Sequence, residues 1–291
     1  MSEELTFKNY LYRIGFSDGS IASYIYQCNN FLTAYPDADK FGYKDILNVM
    51  EEVEKQKPNT RYRIVILSVI KKYYDYLIES GKRNDHPCRT LSIRHNRDKS
   101  IILKDLFSSE ELELLLNREE RYPDLKPKNQ ALLSLLIYQG LTSGEIANMK
   151  LNHVQLGEGK IFVKESRDLM RRHLEMHPKQ YGLFHKYIFE SRDGLLKCET
   201  DNLFIGVRGK PITTGEVGYL LEQFWPQFPG RTLNPMTIRQ SVVSNWLNEK
   251  KIPLETVQLM AGHKWISTTA RYKQASQEER RALINRFHPM G

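Results

Sequence analysis

The chain has 291 residues, 40% of them hydrophobic and 27% charged, a mix that suits a globular protein with a sizeable core. No run approaches the roughly 20 apolar residues of a membrane span. Acidic residues precede any apolar run in MSEELTFKNYLYRIG, so a secretory leader is not expected either. The formal charge is +8, and between Lys55 and Lys99 twelve Lys or Arg stand against four acids, a surplus that suits a polyanion, the plain alternative being a solvated basic face.

In chain order, DGSIASYIYQCNNFLTAYP reads as a helix, with Ser20 as cap and Ile21, Tyr24, Cys28, Phe31 and Leu32 at helical spacing. A second helix fits FGYKDILNVMEEVEKQ and is closed by Lys57-Pro58-Asn59. The third, TRYRIVILSVIKKYYDYLIESG, carries Ile66, Ile70, Tyr73, Tyr74 and Leu77 and ends at Gly81. Its aromatic stripe is expected in a core. Its basic side (Arg61, Arg63, Lys71, Lys72) is expected to face a phosphate backbone.

Residues 93–106 are basic and lack helical periodicity, so they are expected to form a linker between domains at 1–92 and 107–291. Ser108 and Glu111 have capping-box spacing, opening a helix over Glu110–Asn117. A further helix is expected over Pro127–Gln139 and a short one over Glu145–Leu151. The stretch GKIFVKESRDLMRRHLEMHP reads as a hairpin, since Ile161 and Val163, then Leu174 and Met176, alternate. Helical patterns return in EVGYLLEQFW, TIRQSVVSNWLNEKK, ETVQLMAGH and QEERRALINRF. The expected fold is mostly α with a small antiparallel sheet.

Several features carry bland readings. Cys28, Cys88 and Cys198 are scattered without a CxxC pair, which points to a reducing, cytoplasmic compartment and away from disulfides or zinc. His173 and His177 lack an acidic or Cys partner, so no metal is expected there. Trp225, Trp246 and Trp265 are expected as core aromatics, Trp265 also bracing the wall beside His263. The glycines at 157, 159, 215 and 218 read as turns. Neither a phosphate-cradling P-loop nor a GxSxG elbow occurs, which counts against an ATPase or a serine hydrolase.

The chemistry concentrates near the end: Arg239 in MTIRQSVVSNWL, His263 in LMAGHKWISTTARY, and Tyr272 nine positions later. An attacked phosphodiester gains charge on its non-bridging oxygens. An arginine fork suits those oxygens, a histidine can donate or move a proton, and a tyrosine oxygen can hold a phosphoryl group covalently.

This set resembles the tyrosine recombinase, or phage integrase, family. Gly262-His263, Ser267-Thr268-Thr269 and Tyr272 are similar to its Leu-Gly-His…Thr-Thr…Tyr signature, with Ala261 in the Leu place. Gly140-Leu141-Thr142-Ser143-Gly144-Glu145-Ile146 resembles its Gly-Leu-Arg-x-(Ser/Gly)-Glu-(Ile/Leu) box, Arg239 precedes His263 by 24 residues as the family has it, and His288-Pro289 echoes its ending. In the N-terminal half, Ser20-Ile21…Tyr24…Phe31 and Arg61…Tyr73-Tyr74…Leu77…Gly81…Pro87 are similar to its core-binding domain.

The resemblance implies a two-domain clamp on double-stranded DNA, a helical core-binding domain plus a catalytic domain. Tyr272 would form a 3′-phosphotyrosine and free a 5′-hydroxyl without metal or other cofactor. Four protomers would assemble on DNA through the C-terminal helix (276–287), with DNA-bending accessory proteins as further partners. The setting would be a mobile element or phage working on DNA in the cytoplasm, at the nucleoid. No arm-binding domain is expected ahead of residue 1, in which the chain resembles the simpler members. Arg94, Arg97 and Lys99 in the linker join Arg61, Arg63, Lys71 and Lys72 as expected DNA contacts.

Three positions depart from the pattern. Thr142 stands where the family has its first arginine, and Met236 where it has His or Lys. For its hairpin lysine, a general acid, Lys164 is the nearest lysine, whereas spacing back from Arg172 favours Arg167, a poor acid. Losing an arginine clamp can slow phosphoryl transfer by orders of magnitude. Either Arg171, Arg172, His173 or Lys150 restores the charge, or the protein is a catalytically silent DNA-binding accessory factor. A type IB topoisomerase, which reseals without exchanging partners, is the third reading.

Overall fold

The computed structural model describes residues 6–94, 106–117, 120 and 122–273. The chain divides into two compact units, Met1–Lys99 and Ser100–Gly291, so the division falls inside the basic stretch 93–106.

The first unit is helical: α1 (Phe7–Arg13), α2 (Asp18–Ala34), α3 (Tyr43–Gln56) and α4 (Thr60–Glu79). Asn59 opens α4 by accepting from the Arg61 and Tyr62 amides at 2.9 and 3.2 Å, which satisfies two of the donors that a helix start leaves over. Gly81, at φ +68°, ends it. The apolar stripe of α4 (Ile66, Ile70, Tyr73, Tyr74, Leu77) is buried against Ile21, Cys28 and Phe31 of α2 and Ile46 and Val49 of α3. Tyr74 is fully enclosed and donates its hydroxyl to the Ala38 carbonyl at 2.6 Å. The cap of α2 is Ser17, not Ser20, which lies inside the first turn with its Oγ 3.0 Å from that of Ser17.

The expected basic face of α4 is largely committed within this unit. Arg63 pairs with Glu54 at 2.5 Å, Lys72 with Asp75 at 2.9 Å, and Lys71 donates to the Arg89 carbonyl at 2.9 Å. Arg61 and Arg94 are exposed. Arg97 and Lys99 lie outside the described residues.

The second unit runs α5 (Ser109–Leu114), α6 (Lys126–Gln139), α7 (Ser143–Ala147), β1 (Val154–Gln155), β2 (Lys160–Val163), β3 (Arg172–Glu175), α8 (Pro178–His185), a π-type segment (Lys186–Ser191), α9 (Arg192–Leu195), α10 (Thr214–Glu222), α11 (Pro235–Asn248), α12 (Leu254–Ala261) and α13 (Ile266–Ala270). The capping box at the start of α5 is present: the Glu111 amide donates to Ser108 Oγ, and the Ser108 amide to Glu111 Oε2. The sheet is antiparallel, ordered β1-β2-β3, with Ile161 opposite Leu174 and Val163 opposite Arg172. Its inward residues Ile161, Val163, Leu174 and Met176 are those that alternate in the sequence.

At the centre, α6 is buried on every side (Ala131, Leu132, Leu133, Leu135, Leu136) and α11 packs on it through Ile238, Val242 and Trp246. Gly140 ends α6 at φ +59°, and a Cβ there would lie 3.2 Å from Val242 Cγ1. Glycine thus serves both the turn and the close helix approach.

Some expectations need correction. The helix expected over Glu145–Leu151 begins at Ser143 and ends at Ala147, because Thr142 caps it. Gly215 and Gly218 lie inside α10 rather than in turns. Trp246 is buried, but Trp225 is half-exposed, its indole N–H satisfied by the Leu233 carbonyl, and Trp265 is exposed. The expected helix over 276–287 and His288-Pro289 lie outside the described residues. Among the described residues no helix is long and apolar enough to cross a membrane.

Candidate active site

Tyr272, Arg239 and His263 come from three segments and line one open cleft together with Thr142, Met236, Lys264, Trp265, Thr268 and hairpin residues Ser166, Asp168 and Leu169. Arg239, on the second turn of α11, is 4% exposed. Its Nη1 donates to the Gly140 carbonyl at 2.7 Å and its Nη2 to the Ala261 carbonyl at 2.6 Å. Both carbonyls sit where a helix stops and its last acceptors lack intrahelical donors. Two left-handed glycines, Gly140 and Gly262, stop α6 and α12 at that point. One guanidinium therefore ties three helices at the cleft floor. Burial pushes its pKa down, and Glu145 opposes that effect.

His263 follows the second of those glycines. Its Nδ1 lies 2.9 Å from Thr269 Oγ1 on α13, and its ring is nearly parallel to that of Tyr272, at an interplanar angle of 11° and 6.1 Å between centroids. Burial and the charges of Arg239, Arg172 and Arg271 lower its pKa to about 4, so the imidazole is neutral near pH 7. Burial raises the Tyr272 phenol, partly offset by Arg239 and Arg271. The Tyr272 carbonyl accepts from Asn248 Nδ2 at 2.9 Å, which anchors that segment to the end of α11.

Thr142 makes the first turn of α7. Its Oγ1 accepts from the Glu145 amide at 3.2 Å, while its own amide and hydroxyl donate to Glu145 Oε2 at 2.8 and 3.0 Å. The spacing Thr142-x-x-Glu145 is a capping-box signal carried by the sequence itself. The other Glu145 oxygen takes Arg172 Nη1 at 2.7 Å, an ion pair in which both side chains are almost wholly buried. Arg172 Nε also donates to the Met260 carbonyl at 2.8 Å, one residue before the Ala261 carbonyl held by Arg239. Its Nη2 is buried without a hydrogen-bond partner. A Cβ on Gly262 would come within 2.5 Å of Arg172 Nη1.

The β2–β3 loop is stitched to the His263 segment. Leu169 and His263 form an antiparallel bridge, the Met170 amide donates to the Gly262 carbonyl at 2.8 Å, and Lys264 Nζ donates to the Arg167 carbonyl. The remaining candidates lie elsewhere. Lys164 lines a neighbouring cleft with Glu145, Lys150 and His153, and Arg167 is exposed and absent from the lining of the Tyr272 cleft. Lys150 is held by Asp201 and Asn202. Arg171 is exposed, and His173 is an exposed strand residue beside Phe162. His177 caps α8 and stacks on Tyr138 at 4.0 Å. Lys264 and Asp168 at the cleft were not singled out in the sequence. Adjacency to His263 was the available signal for Lys264.

Comparison with known proteins agrees with the cleft. Tyrosine recombinase XerD of Oceanobacillus iheyensis is 27% identical over 94% of each chain. Among solved structures, the chain is similar in fold to XerH site-specific recombinase bound to palindromic difH substrate (TM-score 0.70, 15% identity, 91% of this chain and 79% of that one). It is also similar to a lambda integrase dimer bound to a COC′ core site (TM-score 0.67, 15% identity, 94% and 75%). The profile of the Phage integrase family matches residues 106–279, more than half of the sequence and the whole of the cleft. The chain belongs to the phage integrase, or tyrosine recombinase, family.

Proposed function

We propose that this protein is a site-specific DNA strand transferase of a mobile element or phage. Tyr272 attacks a scissile phosphate to give a 3′-phosphotyrosine and a 5′-hydroxyl, and a second strand's hydroxyl reverses the step. The observation that carries this reading is the meeting of Tyr272, Arg239 and a neutral His263 in one cleft. Arg239 offers a permanent positive charge to the non-bridging oxygens, and His263 offers a neutral ring nitrogen beside the nucleophile.

Arg172 restores part of the charge absent at Thr142. Buried behind Gly262 and sharing the end of α12 with Arg239, it adds a second guanidinium to the same field. Residues 1–92 would serve as the core-binding domain and 107–291 as the catalytic domain, four protomers working together on the DNA through their C-terminal helices. Of the cations expected to contact DNA in the first unit, Arg61 and Arg94 are exposed and open to a phosphate backbone.

Covalent trapping tests this reading. Labelled duplexes tiling the DNA beside the gene, nicked so that the cut end diffuses away, are incubated with wild type and Tyr272→Phe and resolved on a denaturing gel. A protease-sensitive, slow band with wild type alone is expected. Gel shifts by both proteins with no adduct from either would favour a silent DNA-binding protein. Thr142, whose hydroxyl is spent on capping α7, is the observation on the side of that second reading. Recombinant joints, as against relaxation alone, separate strand exchange from a type IB topoisomerase.

A further inference from the structure

The departing 5′-oxygen is a poor leaving group until it receives a proton, and the described cleft residues offer few sources. Arg239 is a guanidinium, which does not release its proton in proteins. His263 is neutral near pH 7, with Nδ1 committed to Thr269. Asp168, exposed on the β2–β3 loop, has no side-chain N–H to give. The hairpin residues Lys164 and Arg167 fail on placement, since Lys164 lines the neighbouring cleft and Arg167 is absent from this one. Lys264 remains. It is the lysine among the described lining residues, next to His263 in sequence and opposite the hairpin loop in space.

We propose that Lys264 Nζ is the general acid for the leaving 5′-oxygen, doing from the α12–α13 turn what the family resemblance assigns to a hairpin lysine. One of its three N–H donors holds the Arg167 carbonyl, which positions the ammonium and leaves the others for a substrate oxygen. In cleavage, the Tyr272 phenolic oxygen forms a bond to phosphorus and its proton passes to water in the open cleft. The P–O5′ bond breaks, its electron pair stays on O5′, and Lys264 gives that oxygen a proton. Cleavage leaves Lys264 as the neutral amine. In rejoining, that amine takes the proton of the attacking 5′-hydroxyl, the phosphotyrosine P–O bond breaks with its electron pair on the Tyr272 oxygen, and that oxygen takes a proton from water. The inference rests on Tyr272 being the nucleophile.

The test uses the full chain and a nicked duplex that wild type cuts, beside the same duplex with sulfur in place of the bridging 5′-oxygen. A thiolate departs without a proton. Lys264→Ala is expected to form adduct about 10²- to 10⁴-fold more slowly than wild type on the oxygen substrate and within a few-fold of wild type on the sulfur substrate. Lys264→Arg, which keeps the charge but is a poor acid, is expected to be as slow as alanine on oxygen and equally rescued by sulfur. Equal slowing on both substrates would assign Lys264 to positioning, and no slowing would remove it from the reaction; either result overturns the proposal. Absence of adduct from wild type on both substrates would overturn the Tyr272 reading itself, and this proposal with it.

Discussion

Gly262, next to His263 in the chain, is constrained twice over. It sits at φ +71°, and an added Cβ would meet Arg172 Nη1 at 2.5 Å and the Met170 carbonyl at 3.0 Å. The left-handed conformation alone costs a residue with a Cβ about 1–2 kcal/mol, and the clash adds to it. Gly262→Ala is expected to lower the urea midpoint by at least that equivalent and to slow adduct formation, since Arg172 and His263 shift together. An unchanged midpoint would show that the loop relaxes freely. His263 gives a pH signature. Its folded pKa, about 4, lies below the ordinary 6.5, so the unfolded chain binds the proton more readily between those values. The stability contributed by the neutral ring is complete above pH 6.5 and is lost as pH falls toward 4. Unfolding free energies of wild type minus His263→Gln are expected to decline across that window, and a flat difference would refute the neutral, buried imidazole.

Among the elements, α6, α8 and β3 are joined by a buried amide cluster that no periodicity announces. Gln139 Nε2 donates to Gln180 Oε1 at 2.7 Å, and Gln180 Nε2 donates to Gln139 Oε1 at 2.8 Å and Ser134 Oγ at 3.0 Å. Gln139 also reaches the Glu175 carbonyl of β3 at 3.1 Å. Truncation strands buried polar atoms, so Gln180→Ala is expected to cost about 1–3 kcal/mol. Denaturant unfolding that moves by less than a few tenths of that would mean water enters and replaces the amide. The long helices α2, α3, α4, α6 and α11 were legible in the sequence, and so was the alternation of β2 and β3. The short pieces α1, α8, α9, α13 and β1 were not. A segment of two to eight residues spans too few turns to display a period, and tertiary packing settles it.

At the scale of the whole molecule, two apolar clusters are separate: one centred on α2, α3 and α4, the other on α6 and α11. Each has its own buried aromatic centre, Tyr74 in the first and Phe184, Tyr187 and Phe204 in the second. Independent cores imply independent cooperative units. Calorimetry is expected to show two overlapping transitions, with a van't Hoff enthalpy well below the calorimetric one. A single transition with equal enthalpies would mean that the two units unfold as one. The net charge of +8 bears on partners rather than on fold.

By itself the sequence determined the family, the mostly helical class with a small antiparallel sheet, and the ordered set Arg239, His263 and Tyr272. Those features are written in local order: stripe period, strand alternation, motif spacing. Which cations stand in the cleft was decided by the tertiary structure. Lys71, Lys72 and Arg63, counted as a free basic face, are engaged by partners of their own unit. Arg172 is drawn under Gly262 by Glu145, and Lys264 is placed opposite the hairpin in the cleft that Lys164 does not line. The physical reason is that a charge's role depends on the carboxylate or carbonyl it finds across the fold, and partners such as Arg172 and Met260 lie 88 residues apart along the chain.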